Sequence, residues 1–146
     1  MFLDKLDKLS ADQAITVTAI SGNVIDLGAA SSGLPDGVPL ELVVIVKVAA
    51  DATTGDETYA FSADTSAVVG LTTPTQLGYR AIPRALLTLG SKHHIPLAQD
   101  VAMLRYLGVN YTLGGTTPTI TVDAYIQPVG MAADVPKHYA IGSTIL

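Results

Sequence analysis

Apolar and polar residues alternate along much of this chain, most clearly in LRYLGVNYTLGGTTPTITVDAYI, residues 104–126. A period of two marks a strand, where successive side chains point to opposite sides. The segment predicts two antiparallel strands joined by a two-residue turn at Gly114 and Gly115. Counting outward from that turn pairs Val109 with Ile120, Leu107 with Val122, Arg105 with Ala124 and Met103 with Ile126. The other face pairs Asn110 with Thr119, Gly108 with Thr121, Tyr106 with Asp123 and Leu104 with Tyr125. The first face is apolar except for Arg105 and the second is mixed, as in a half-buried ribbon.

Other strands follow from the same rule. Residues 14–20 and 23–27 read as strand segments broken at Ser21 and Gly22, and TYAFSA at 58–63 alternates. In LELVVIVKV, residues Leu40, Leu42, Val44, Val46 and Val48 share one face, with Val43 and Ile45 on the other. A strand apolar on both faces belongs inside a sheet or under a partner. HHIPL is a short extended piece that Pro96 confines to an edge or a strand end. Residues 29–39 form a loop, with turn chemistry at Pro35, Asp36 and Gly37, and the pattern weakens over 64–90.

Leu3, Leu6 and Leu9 recur every three residues, which predicts a short amphipathic helix or docking arm over residues 1–13. Residues 14–127 then form the sandwich, and 128–146, punctuated by Pro128, Gly130 and Pro136, form an extended tail. Many short strands with turn signals and little helix predict one all-β domain, an antiparallel β-sandwich of jelly-roll type.

Composition sharpens this picture. Among 146 residues, 49% are hydrophobic and 14% charged, where an ordinary soluble domain carries about 25% charged residues. A free monomer rarely shows wide apolar patches, so the shortage of charge predicts that other chains cover part of the outside. The net charge of -5, with eight Lys and Arg that form no run, argues against nucleic-acid binding. The longest strongly apolar run, LVVIV, is far short of the ~20 residues of a membrane helix, and MFLDKLDKLS lacks the pattern of a signal peptide. A membrane partner is not expected.

Candidates for chemistry are few. Neighbouring His93 and His94 point to opposite faces of a strand and cannot easily share one metal ion, so both read as surface or interface histidines. Asp51, Asp56 and Glu57 cluster in a turn without the spacing of a calcium loop and read as solvated acids. With no cysteine, no phosphate loop and no nucleophile elbow, the sequence predicts a non-enzyme with no cofactor and no metal. Arg105, on an apolar face, either snorkels out at a sheet margin, pairs with an acid of its own chain, or reaches a carboxylate of a neighbouring subunit. Tyr106 and Tyr125, with Asp123 nearby, make a tyrosine-bearing face of a kind favoured at interfaces. Leu3, Leu6, Leu9, Arg105, Tyr106 and Tyr125 are therefore the candidate interface residues.

NVIDLG, LELVVIV, IPRALL, HHIPL and above all LRYLGVNYTLGGTTPTITVDAYI together resemble the small jelly-roll cement, or decoration, proteins on the heads of tailed bacteriophages. The likeness runs from about residue 14 to 127. It implies a structural protein on the outer surface of a virion, made in the bacterial cytoplasm. Its partners would be the major capsid protein and further copies of itself, as a homodimer or homotrimer. Rival expectations are a carbohydrate- or receptor-binding module of a tail or spike, for which six Tyr, two Phe and no Trp are thin, a tail or neck component, and a cupin-type metalloenzyme.

Overall fold

The computed structural model of the chain describes residues 8–28 and 39–129. Nine strands run in chain order: β1 (Lys8–Ile15), β2 (Ala19–Ile20), β3 (Ile25–Asp26), β4 (Leu40–Val48), β5 (Thr58–Ser66), β6 (Thr75–Ala81), β7 (Lys92–Pro96), β8 (Tyr106–Gly114) and β9 (Ile120–Pro128). The first sheet has the order β1-β9-β4-β7, and the second the order β2-β8-β5-β6, with β3 also paired to β8. All pairs are antiparallel. Each sheet interleaves early and late strands, which is the jelly-roll arrangement of two packed sheets.

The inward positions follow the alternation. Leu40, Leu42, Val44 and Val46 of β4 and Ile120, Val122, Ala124 and Ile126 of β9 meet Tyr59, Phe61 and Ala63 of β5 and Leu107, Val109 and Tyr111 of β8 in one core. Phe61 and Tyr111 stack edge to face at 5.8 Å, an arrangement that adds to simple area burial. The Tyr111 hydroxyl shares a 2.6 Å hydrogen bond with Ser10 Oγ of β1, which ties the sheets together. Burial raises the Tyr111 phenol far above its ordinary value, so it stays neutral and free to bond.

The predicted hairpin is corrected. β8 and β9 carry the inward and outward residues that the alternation assigned, yet they do not pair with each other. β8 lies between β2 and β5, whereas β9 lies between β1 and β4. Residues 115–119 cross from one sheet to the other, so the two apolar sets face each other across the core instead of lying side by side. Gly115, at φ +90°, starts the crossing where a Cβ would collide with the Asp56 carbonyl. The Asp56 carboxylate then accepts the Thr116 N–H at 3.0 Å and the Thr116 hydroxyl at 2.8 Å.

Three smaller expectations change as well. Residues 8–13 are strand rather than arm or helix, and residues 1–7, with Leu3 and Leu6, lie outside the described residues, as do the 29–38 stretch of the predicted loop and the tail beyond 129. Val48 leaves the apolar face of β4, because the register shifts between Val46 and Val48, and it is 58% exposed. The indistinct stretch 64–90 holds β6 and a single 3-10 turn at Arg84–Leu86. No helix among the described residues is long and apolar enough to cross a membrane.

Candidate functional site

The chemistry-bearing side chains stand on the outward faces of the two sheets and in the connections at their ends. On the first sheet, register places outward residues in rows across the four strands. His94, Val43, Tyr125 and Lys8 form one row, and Lys92, Ile45 and Asp123 form the next. Pro96, Glu41 and Gln127 make a third.

Buried acids on this face are paired. Glu41, only 6% exposed, takes a hydrogen bond from Gln127 Nε2 at 2.9 Å and shares one with His94 Nδ1 at 3.0 Å. Asp123 accepts the Asp12 backbone N–H at 2.6 Å. Lys8 Nζ lies 3.5 Å and Lys47 Nζ 3.8 Å from its other oxygen. A carboxylate withdrawn from water is tolerable when donors and counter-charges replace its hydration.

The second sheet presents small residues outward: Ala60, Ser62 and Asp64 of β5, with Gly108 and Asn110 of β8 opposite them. Ser62 also faces Tyr79 of β6, which is 55% exposed. Asp64 is 4% exposed and its Oδ1 has no hydrogen-bond partner. Burial raises its carboxyl above the usual range, and the nearby Ser62 and Asn110 side chains pull it partly back.

The candidate interface residues that lie among the described ones, Leu9, Arg105, Tyr106 and Tyr125, do not form one surface. Leu9 is fully buried in the core of its own subunit. Tyr125 is 2% exposed on the first sheet, whereas Tyr106 is half-buried on the second, so the expected two-tyrosine face with Asp123 does not exist as one surface. Arg105 precedes β8 and is not on the apolar face opposite Ala124. Its Nε and NH2 donate to the two oxygens of Asp26 at 2.9 and 3.0 Å, and its guanidinium carbon lies 5.1 Å from the Tyr106 ring centre. This bidentate bond holds the Asp26 carboxyl below the usual range and raises the guanidinium. Arg105 thus pairs with an acid of its own chain.

The histidines and the turn acids also differ from the reading as plain surface groups. His94 does point outward, but His93 faces inward and is 8% exposed; its ring shares a 3.1 Å bond with Ser91 Oγ, and burial lowers its basicity. Glu57, 1% exposed, folds back to accept the Thr54 and Gly55 N–H groups, each at 2.9 Å. The Thr54 hydroxyl bond is the main reason its carboxyl sits low; Asp56 sits low chiefly through the Thr116 N–H. Tyr59 donates to the Asp51 carbonyl at 2.9 Å and accepts the Thr119 N–H at 3.2 Å, which locks two connections together. These acids close loops. Among the described residues no three His, Cys, Asp or Glu side chains converge as metal ligands would.

Sequence reasoning missed Glu41, Gln127 and Asp64. Each was visible as a polar residue in an apolar strand, but its partners, or lack of them, depend on which strands pair. With this geometry in hand, comparison with known families is informative: the model of the Bbp16 family matches residues 9–126. The chain belongs to the Bbp16 family. The association of Bbp16 is with phage. The matched span covers every complete strand from β2 to β8 and nearly all of β1 and β9. A search of the curated proteins gave no match.

Proposed function

We propose that this Bbp16-family protein is a structural component of a phage virion, a cement protein that binds the outside of the head and stabilises the lattice of the major capsid protein. The observation that carries the reading is the family match across residues 9–126. The surface is compatible with it. Glu41, Asp123, Asp26, Asp56 and Glu57 are spent on internal bonds, and apart from Tyr79 on β6 the exposed large apolar side chains among the described residues gather at the two ends of the sandwich. Val17, Val48, Leu86 and Leu89 stand at one end, between 54% and 72% exposed. Val68, Val69, Met103 and Leu104 stand at the other, between 37% and 59% exposed. A cement joined to several shell subunits through such modest patches gains by effective concentration on an assembled lattice.

The test is sedimentation of purified protein with expanded heads and, separately, with unassembled capsid subunits, alongside light scattering of the protein alone. The expected result is an oligomer that pellets with heads and not with free subunits. A monomer that remains in the supernatant with heads overturns the reading.

A further inference from the structure

Asp64 poses a question that the cement reading does not use. It lies opposite Gly108 in the β5–β8 ladder, and Gly108 is roofed by Leu71, whose Cδ1 lies only 2.8 Å from where a Cβ on Gly108 would stand, with Ser21 Oγ and Val24 Cγ2 at 3.3 and 3.4 Å. Leu71 is 5% exposed. The connection 67–74 is therefore folded down on the outward face of the second sheet beside a buried carboxyl with one oxygen unpartnered.

Few bonds hold this connection. Ser66 Oγ accepts the Val68 N–H at 3.1 Å and donates to the Thr72 carbonyl at 2.7 Å, and the Leu71 N–H donates to the Val68 carbonyl at 3.0 Å. Against them stands backbone strain: Leu71 has φ +54° and Thr73 φ +46°, left-handed values that side chains with a Cβ disfavour. Among the described residues nothing charged supports the carboxyl, and its side-chain donors are the neutral Ser62 and Asn110. The connection itself has no ionisable residue. Just before β5, at the end of the strand far from Asp64, Glu57 is bonded to Thr54 and Gly55. On β6, Gln76 stands opposite Asp64 with Thr75 beside it, while Tyr79 and Arg80 lie opposite Ser62 and Phe61. On β8 the titratable groups are Tyr106 and Tyr111, the latter facing the core, and the Arg105 before them is bonded to Asp26, the sole acid of the 19–28 segment. Asp100 lies in the connection after β7, whose Leu104 N–H bonds to Thr65 Oγ1.

We propose that Asp64 and the 67–74 connection form an acid-held latch: the protonated carboxyl keeps Leu71 seated on the sheet, and the carboxylate lifts it and lets water reach Asp64. A neutral acid can keep one oxygen unpaired in a dry site at modest cost, whereas a carboxylate there lacks the donors it had in water. Lifting supplies those donors and relieves the strain at Leu71 and Thr73. It also moves Val68 and Val69, 49% and 59% exposed, at the tip.

The latch is read by hydrogen exchange of the Leu71 and Thr72 amides from about pH 4 to 8, normalised for intrinsic exchange, in the wild type and in Asp64→Asn. In the wild type the opening equilibrium should rise with pH, about tenfold for each unit by which the seated carboxyl titrates above the lifted one. Asp64→Asn should stay closed across the range, and Asp100→Asn should behave as wild type. Equal pH dependence in wild type and Asp64→Asn overturns the latch, as does pH-independent protection in the wild type. If the variant fails to fold, a carbon-13 titration of the Asp64 carboxyl in the unaltered protein is compared with the Leu71 exchange: the midpoint should lie above 3.8 and the opening should rise across that same midpoint, and a midpoint at or below 3.8 or exchange that does not follow it overturns the proposal.

Discussion

The two outward faces of this sandwich treat acids in opposite ways. On the first sheet, Glu41 and Asp123 are withdrawn from water but supplied with donors and cations by Gln127, His94, Lys8 and Lys47. On the second sheet, Asp64 is equally withdrawn and has no cation among the described residues, under a strained connection. The difference shows that burial alone does not fix what an acid contributes. Donors around the first make it a fixture, and their scarcity around the second makes it a source of tension.

Paired substitutions test the contrast most strongly. Glu41→Ala leaves the Gln127 amide and the His94 ring without their shared acceptor, and should lower the unfolding free energy by ~2–4 kcal/mol. Asp64→Ala removes a group whose desolvation was poorly repaid, and should change it by less than about 1 kcal/mol in either direction. Urea denaturation of both variants at neutral pH measures the two; equal losses would erase the distinction between the faces.

Roofing of the second face is the next target. Gly108→Ala pushes a methyl group toward Leu71 Cδ1, and such overpacking should cost ~1–3 kcal/mol and lower the melting temperature. The loss should shrink in a Leu71→Ala background, where the obstruction is gone; additive losses in the double mutant would show that the two side chains do not meet.

Acidity separates the groups by sign. Asp26, Asp56 and Glu57 are held below their ordinary values of 3.8, 3.8 and 4.5. Their stabilising contribution is present above those values and is lost as pH falls through the lower folded-state ones. Asp64 is raised, so its contribution is present below 3.8 and is lost as pH rises through its folded-state value. As the pH falls from the folded-state value of Asp64 toward 3.8, the wild type should gain stability that Asp64→Asn does not; below about 4 both proteins should lose stability as Asp26, Asp56 and Glu57 take up protons. Melting temperatures that change identically with pH above 3.8 in the two proteins would contradict the assignment.

The smallest effect is expected at Lys47. Its side chain is 44% exposed and its amino group sits 3.8 Å from Asp123, so Lys47→Ala should cost ~0.2–1 kcal/mol and less in high salt. Chemical denaturation at low and high ionic strength provides the check.

The same residues show how far the sequence could be read. Alternation correctly gave the inward sets of β8 and β9, since side-chain direction is a local property of a strand. It gave them the wrong partners, because pairing depends on where the chain goes after Gly115, and two strands lining opposite walls of a core have the same pattern as two strands side by side. β4 was readable as a central strand because Val43 is buried on the face opposite Leu42 and Val44. Leu9 was misassigned since three leucines spaced by three suggest a helix, while tertiary pairing with β9 makes residues 8–15 a strand. Of the interface candidates, Arg105 resolved to an internal partner that lies 79 positions away in the chain, a separation over which no local pattern carries information.

Where the two sheets approach each other along β6 and β7, Gly78 leaves room for the Pro96 carbonyl, 2.6 Å from the site of a missing Cβ, and the Ala98 N–H reaches the Leu77 carbonyl at 2.8 Å. On the opposite flank the Asn23 N–H reaches the Leu9 carbonyl at 2.9 Å. The molecule thus curls its margins inward at both flanks and hides part of the ladder that could recruit a foreign strand, which is how natural sheets resist growth into fibres. Copies crowded together at high density are steered toward contacts through loops and flat surfaces, which end where they are geometrically complete, and away from open-ended stacking.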